Sequence, residues 1–215
     1  MKKFDVANWN RKETFAWFNS FSNPCYGVNV RLDVTNLVQA CRTRGESFFA
    51  ALSYVVCRTL NGLESFRLRV MDGELWDTEC ANPCYTVALD DGNFVNCRTK
   101  MRGEYAAFCA GMRADIDAAK KNAHNVEGSY NNVKVVDDFY LSCVPWMDFT
   151  ACTQPIPDNM PESSSIPRVC WGKYSEENGR LQLTMNITAS HALVDGRDMS
   201  RAFERIQKDI DEWEK

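Results

Sequence analysis

Phe15, Phe18 and Phe21 recur every third residue across positions 10–21, and Asn23-Pro24 follows, which predicts an early helix closed by a turn. Over 27–35 the period falls to two, with Val28, Val30, Leu32 and Val34 alternating with polar residues as in a half-buried strand. Helical spacing returns over 47–63, where Phe48, Leu52, Val55, Val56 and Leu60 share a face. Asp72-Gly73 between 66–71 and 74–78 predicts a hairpin. Two further strands, 84–89 and 94–98, flank Asp90-Asp91-Gly92. An alanine-rich helix is expected at 104–121, then a polar loop at 122–134 and a strand at 139–144. Positions 153–165, with Pro155, Pro157 and Pro161, read as an extended surface segment. A last hairpin, 169–174 with 181–189, turns at Glu177-Asn178-Gly179, and a helix over 198–213 closes the pattern.

Strands joined mostly by hairpins, with helices interspersed rather than strictly alternating, predict an α+β fold of two layers, a mixed β-sheet covered by helices. No repeat, low-complexity tract or linker divides residues 1–215, so a single domain is expected. The balance of 25 Lys+Arg against 29 Asp+Glu, net −4, argues against nucleic acid or an anionic membrane as partner. The longest nearly apolar stretch, 48–57, falls well short of the roughly 18–20 residues that span a bilayer. No export signal is visible in the first residues, so a cytoplasmic location is expected. The ten cysteines include no CxxC and accompany only two histidines, so no metal site is expected. Reduced, buried thiols acting as small apolar residues are the simpler reading.

One histidine stands out. His191-Ala192-Leu193-Val194-Asp195-Gly196 begins where the alternation of Leu183, Met185 and Ile187 ends and precedes the last helix. Imidazole is the side chain best suited to taking a proton from a hydroxyl near neutral pH. A packed, hydrogen-bonded histidine fits the spacing as well.

Five other stretches accompany it in order: Trp9-Asn10-Arg11-Lys12-Glu13, Asp72-Gly73-Glu74-Leu75-Trp76-Asp77, Pro83-Cys84-Tyr85-Thr86-Val87, Ser142-Cys143-Val144-Pro145-Trp146 and Gly172-Lys173-Tyr174. Together they resemble the chloramphenicol acetyltransferase family over nearly the whole chain. Dihydrolipoyl acyltransferase catalytic domains share the histidine motif and the fold, but the other stretches are not collinear with them. The resemblance implies a homotrimer with active sites between subunits and acetyl-CoA as co-substrate. It makes His191 the general base and Ser142 the oxyanion donor, with Asp195 and Arg11 a buried pair supporting the histidine turn. Lys173 and Tyr174 would contact coenzyme A, and Trp17, Phe18, Cys25, Tyr85, Thr86, Phe94, Cys152 and Gln154 would line the acceptor pocket.

The chain departs from the family pattern in places. Ser190 replaces the first of two histidines, and Cys170 a threonine that positions a water. Ser47 replaces the lysine that meets the 3′-phosphate, with Arg42 and Arg44 close by to compensate. Cys152 and Gln154 stand where a Phe and a Leu line the drug pocket, and Asn23 falls near a pocket leucine. The implied activity is O-acetylation of chloramphenicol, an antibiotic inactivation. The alternatives are the same chemistry on another small hydroxyl compound, or a catalytically weak trimeric binding protein.

Overall fold

A computed structural model describes residues 1–101, 103–121, 136–158 and 160–213. Its N-terminal half runs β1 (Lys2–Lys3), α1 (Lys12–Asn19), β2 (Cys25–Asp33), α2 (Thr35–Arg44), α3 (Phe48–Asn61), α4 (Glu64–Arg67), β3 (Leu68–Met71), β4 (Glu74–Asp77), β5 (Asn82–Ala88) and β6 (Phe94–Arg98). There follow α5 (Tyr105–Lys121), β7 (Asp138–Val144), α6 (Pro161–Ser164), β8 (Arg168–Gly172), β9 (Ser175–Glu177), β10 (Arg180–Ser190) and α7 (Gly196–Asp211). The main sheet has the order β2-β10-β8-β7-β5-β6, with β9 beside β10, and a small sheet is ordered β1-β4-β3. Strand β7 runs parallel to β5 and β8, whereas β10 is antiparallel to β2 and β8, so the sheet is mixed. The α+β architecture matches the reading from hydrophobic period.

Strand β10 organises the site. Leu183, Met185, Ile187 and Ala189 pack into the helix-covered core, and Thr184, Asn186, Thr188 and Ser190 on the other face are also buried. Nine residue pairs lock β10 to β2, from Gln182 with Asp33 to Ser190 with Cys25. A slip of one residue would exchange the two faces, so this ladder fixes the register of everything built on it. Helix α3, apolar on one face and capped by Ser47 Oγ accepting from the Ala50 amide at 3.3 Å, buries Leu52, Val55, Val56 and Leu60 beneath the sheet. Fully buried Arg69 ties the small sheet to β7: its guanidinium donates to the carbonyls of Phe66, Leu68, Val136 and Asp138 at 2.7–2.8 Å. Burial pushes its pKa down to about 9.

The structure corrects several sequence expectations. The strand expected over 27–35 starts at Cys25 and stops at Asp33, whose carboxylate accepts from the Thr35 amide and hydroxyl and starts α2. That helix was not anticipated, because its polar residues hide the face of Leu37, Val38, Ala40 and Cys41. The segment 153–165 is not wholly extended or superficial: α6 forms within it, and Ser163, Ser164 and Ser165 are buried. The loop expected at 122–134 lies outside the described residues. No described helix is long and apolar enough to cross a membrane.

Candidate active site

His191 follows the last residue of β10, in a turn held by Ser190, whose carbonyl accepts from the Leu193 and Val194 amides at 3.0 and 2.9 Å. Ala192, Leu193 and Val194 are buried and anchor the turn. The histidine amide donates to Pro24 at 2.9 Å, fixing the turn against the start of β2. The imidazole stacks on Phe18, centroids 4.2 Å apart with 7° between planes, and packs on Tyr26 at 4.6 Å. Its Nδ1 is buried with no partner among the described residues, which leaves Nε2 as the nitrogen that a proton donor can approach.

Asp195 is the N-cap of α7. Its carboxylate accepts from the Asp198 amide at 2.9 Å, and the Asp198 side chain closes the capping box. Burial pushes the Asp195 pKa up, but the Asp198 amide and the Arg11 charge outweigh it and hold the carboxyl below its ordinary value. Arg11 and Asp195 do pair, but the pair is not fully buried and Arg11 is shared with Asp198. Arg11 lies 3.8 Å from Asp195 but only 2.8 Å from Asp198, and the Asp195 side chain is 42% exposed in the single chain. Both carboxylates cap the helix, and the guanidinium donates to Asp198 Oδ2, the oxygen that also accepts from the Asp195 amide.

Ser142 lies elsewhere. Register places Asn29, Asn186, Cys170 and Ser142 in one row across β2, β10, β8 and β7, on the sheet face opposite the helices. The Cys170 thiol is in hydrogen-bonding contact with the Ser142 hydroxyl and the Cys152 thiol, and burial pushes its pKa up to about 12, so it stays neutral. Ser190, next to the histidine, is four residues along β10 from this row, or about 13 Å, and Ser142 is two strands across from Asn186, about 10 Å more. One chain therefore cannot bring its own His191 and Ser142 to the same reacting carbon.

Beside Cys152 and Cys170 opens a cavity of about 580 Å³. Its walls come from β2 (Cys25, Gly27, Asn29), from Thr188 of β10, and from the segment carrying Cys152 and Gln154. That segment is strapped across the sheet by the Arg31–Asp148 ion pair at 2.9 Å. It also rests on Gly172, where an added Cβ would stand 2.6 Å from the Met147 carbonyl oxygen.

Of the residues expected to line an acceptor pocket, Cys25, Cys152 and Gln154 meet at this cavity, and Asn23 joins them. Trp17 and Phe18 do not line it; they belong to the aromatic cluster around His191, where Trp17 is 62% exposed. Tyr85 points the other way, buried in the helix-side core against Phe49, with its hydroxyl on Thr99 at 2.9 Å. Thr86 and Phe94 are exposed on β5 and β6, also outside the cavity. Sequence reasoning missed Tyr26, Gly27, Asn29 and Thr188. The signal was available, since 27 and 29 on β2 and 186 and 188 on β10 are the non-apolar halves of two alternating strands.

Tyr174 contacts Phe48 edge to face at 5.4 Å and accepts from Arg42 at 3.4 Å, so α2 delivers a guanidinium to the residue next to exposed Lys173. Two cations beside an aromatic platform fit a ligand bearing phosphates and a purine. Ser47 is occupied as the α3 cap. Among the described residues no cluster of three or more metal-ligating side chains occurs.

Comparison with known proteins places this geometry. The family model for chloramphenicol acetyltransferase matches residues 1–207. A chloramphenicol acetyltransferase of Vibrio anguillarum is 30% identical over 206 residues, covering 94% of this chain and 91% of the relative. One of Escherichia coli is 27% identical over 212 residues, covering 98% and 94%. A solved chloramphenicol acetyltransferase superposes with TM-score 0.84 at 25% identity, over 97% of this chain and 99% of the other. The truncated catalytic core of a 2-oxoacid dehydrogenase multienzyme complex from Thermoplasma acidophilum shares the fold, with TM-score 0.70 at 17% identity and 96% coverage of both chains. A chain matched along nearly its whole length in sequence and in fold, with a histidine set on a capped turn beside a ligand-sized cavity, belongs to the chloramphenicol acetyltransferase family and is an acyltransferase.

Proposed function

We propose that the chain, acting as one domain, transfers acetyl from acetyl-CoA to a hydroxyl of a small molecule, with chloramphenicol the acceptor that the family relationship suggests. His191 takes the hydroxyl proton at Nε2, and its stacking on Phe18 and Tyr26 sets the angle of approach. Ser142 donates a hydrogen bond to the negative oxygen that develops on the thioester carbonyl, in a site where uncompensated charge is costly. Lys173, Tyr174 and Arg42 hold the coenzyme. Asp195 and Arg11 keep the histidine turn in shape and move no proton.

The observation that carries this reading is the separation of His191 from Ser142 within one chain. A general base and an oxyanion donor must both lie about 3 Å from the reacting atoms, which requires two copies to face each other. That supports a homotrimer whose sites lie between subunits. The exposed rings of Trp17, Phe21 and Trp146 are suited to such contacts. All ten cysteines are free thiols, which fits a reducing cytoplasm. The amide-lined cavity favours the second reading, the same chemistry on a different hydroxyl compound. Thiol release from acetyl-CoA, with and without chloramphenicol, tests the proposal in the protein and in His191→Ala. Chloramphenicol-dependent release that survives in His191→Ala would remove the histidine from its role, and no release with any hydroxyl compound would leave a binding protein.

A further inference from the structure

The cavity wall holds a directional chain of amides. Gln154 Nε2 donates to Asn186 Oδ1 at 3.1 Å, and Thr188 Oγ1 donates to the same oxygen at 2.8 Å. Asn186 Nδ2 donates in turn to Asn29 Oδ1 at 3.2 Å, which also accepts from the Cys152 amide at 3.3 Å. Asn186 is 1% exposed, so this linkage is fixed from beneath. Its direction decides what faces the cavity. Gln154 has given one N–H and keeps Oε1 and its second N–H; Asn29 has filled its carbonyl and keeps Nδ2. None of these groups has another partner among the described residues, and both residues line the cavity. The two residues thus leave a carbonyl acceptor on Gln154 and amide donors on both side chains for a ligand in the cavity.

Gly27 keeps that pair reachable. A Cβ there would stand 2.8 Å from Thr188 Oγ1 and 3.0 Å from Asn186 Nδ2, displacing the network. An apolar ring pressed against Asn29 and Gln154 would strip water from a donor and an acceptor and return nothing, which disfavours such an acceptor about tenfold or more. A ligand that answers with its own carbonyl and hydroxyl loses nothing. Cys25, Tyr26, Ala151, Cys152 and Ile156 supply the apolar part of the wall, against which a carbon skeleton can lie.

We propose that Asn29 and Gln154 make this cavity selective for an amide-bearing polyol without an aryl ring, of the N-acylamino sugar kind, over chloramphenicol, whose own amide and hydroxyls come attached to a nitrophenyl ring. The inference rests on the O-acetyl-transfer reading above for its role in catalysis, but its recognition chemistry can be tested without turnover. Calorimetric titration in the presence of CoA alone, where no acetyl group can move, compares N-acetylglucosamine with chloramphenicol on the protein and on Gln154→Leu. The protein is expected to bind N-acetylglucosamine the more tightly. Gln154→Leu should weaken it by about tenfold and strengthen chloramphenicol several-fold, because the freed cavity wall becomes apolar. Tighter chloramphenicol binding to the unaltered protein, no detectable N-acetylglucosamine binding at 10 mM (about the weak limit of a real site), or equal affinities in protein and variant would each overturn the proposal. Thiol release from acetyl-CoA is followed in parallel. An affinity switch without acetyl transfer would support the selectivity and sink the acetyltransferase reading; transfer to chloramphenicol without the switch would do the reverse.

Discussion

Two inactive variants, His191→Ala and Ser142→Ala, should restore activity when they share an oligomer. Within one chain the two side chains are separated by about 13 Å along β10 and about 10 Å across it, so under the proposed function each reaction centre would draw its histidine and its serine from different copies. Alone, His191→Ala should lose about 10²–10⁴-fold and Ser142→Ala about 10²-fold. In a random equal mixture, a site is intact when its histidine comes from a Ser142→Ala chain and its serine from a His191→Ala chain. Each condition holds half the time, so about a quarter of the sites in a cyclic oligomer regain both groups. Specific activity should therefore rise from about one per cent of normal or less to about a quarter in the unsorted mixture, and to about a third in trimers holding both variants, each of which has one intact site in three. The assay is thiol release from acetyl-CoA after the two variants, carrying different tags, are refolded together and purified through both tags. If doubly tagged oligomers form and their activity equals the mean of the two variants alone, base and oxyanion donor act within one chain or not in one reaction, and the two-copy site is wrong.

Ser142→Ala by itself should lower kcat by about 10²-fold with KM values nearly unchanged, because its hydrogen bond forms only as charge develops; a raised KM with kcat intact would make the serine a ground-state contact. Asp195→Ala removes the α7 cap at a cost of about 1 kcal/mol, a fall in Tm of about 2–4 °C. Asp198→Ala should cost more, since it also takes the 2.8 Å partner of Arg11, and calorimetry giving equal melting temperatures would refute the Arg11–Asp198 pair. Asp138 is pushed up to about 6 by burial against the pull of Arg98. The folded state therefore binds its proton more readily than the unfolded state near 3.8, and this group's contribution favours folding increasingly as pH falls through that window. Asp138→Asn should flatten the urea midpoint between pH 4 and 6 by that amount, and identical slopes for the two proteins would contradict it. Gly172→Ala drives a methyl to 2.6 Å from the Met147 carbonyl and should cost about 1–3 kcal/mol, whereas Gly103→Ala, with open space around it, should leave Tm within about 1 °C.

Where one periodicity dominated, the sequence was read correctly. Helix α3 has five apolar residues on a single face, β10 alternates without interruption, and Asp72-Gly73 and Asn178-Gly179 fall at hairpins whose turn residues have φ between 50° and 76°. Legibility failed where two signals overlapped. Alternation along β2 carried the expected strand into α2, because Val34 serves the apolar pattern of both elements. Tyr85 and Thr86 could not both face one pocket, since neighbours on a strand point to opposite faces; the period assigned to β5 already implied it. The cavity was hardest to see. Its walls come from β2, β10 and a segment more than a hundred residues away from β2, and only the strand register brings Asn29 under Asn186. Similarly, Asp195 and Asp198 are equivalent on paper, and the geometry of the cap decides which of them meets Arg11.

Tyr26 has one face on His191 and also lines the cavity of about 580 Å³. That double duty limits how this scaffold can diversify. A change of bulk at Tyr26, or anywhere on the nine-pair ladder around it, alters the seat of His191 together with the shape of the cavity, so under the proposed function new acceptor ranges are hard to reach from the strand side. The opposite wall has no such tie: Ala151 to Ile156 is irregular backbone, in no ladder, whose side chains can be exchanged while the histidine stays where it is. Substitutions that retune the acceptor should therefore accumulate at 151–156, and the strand residues facing them should drift little among descendants of this chain.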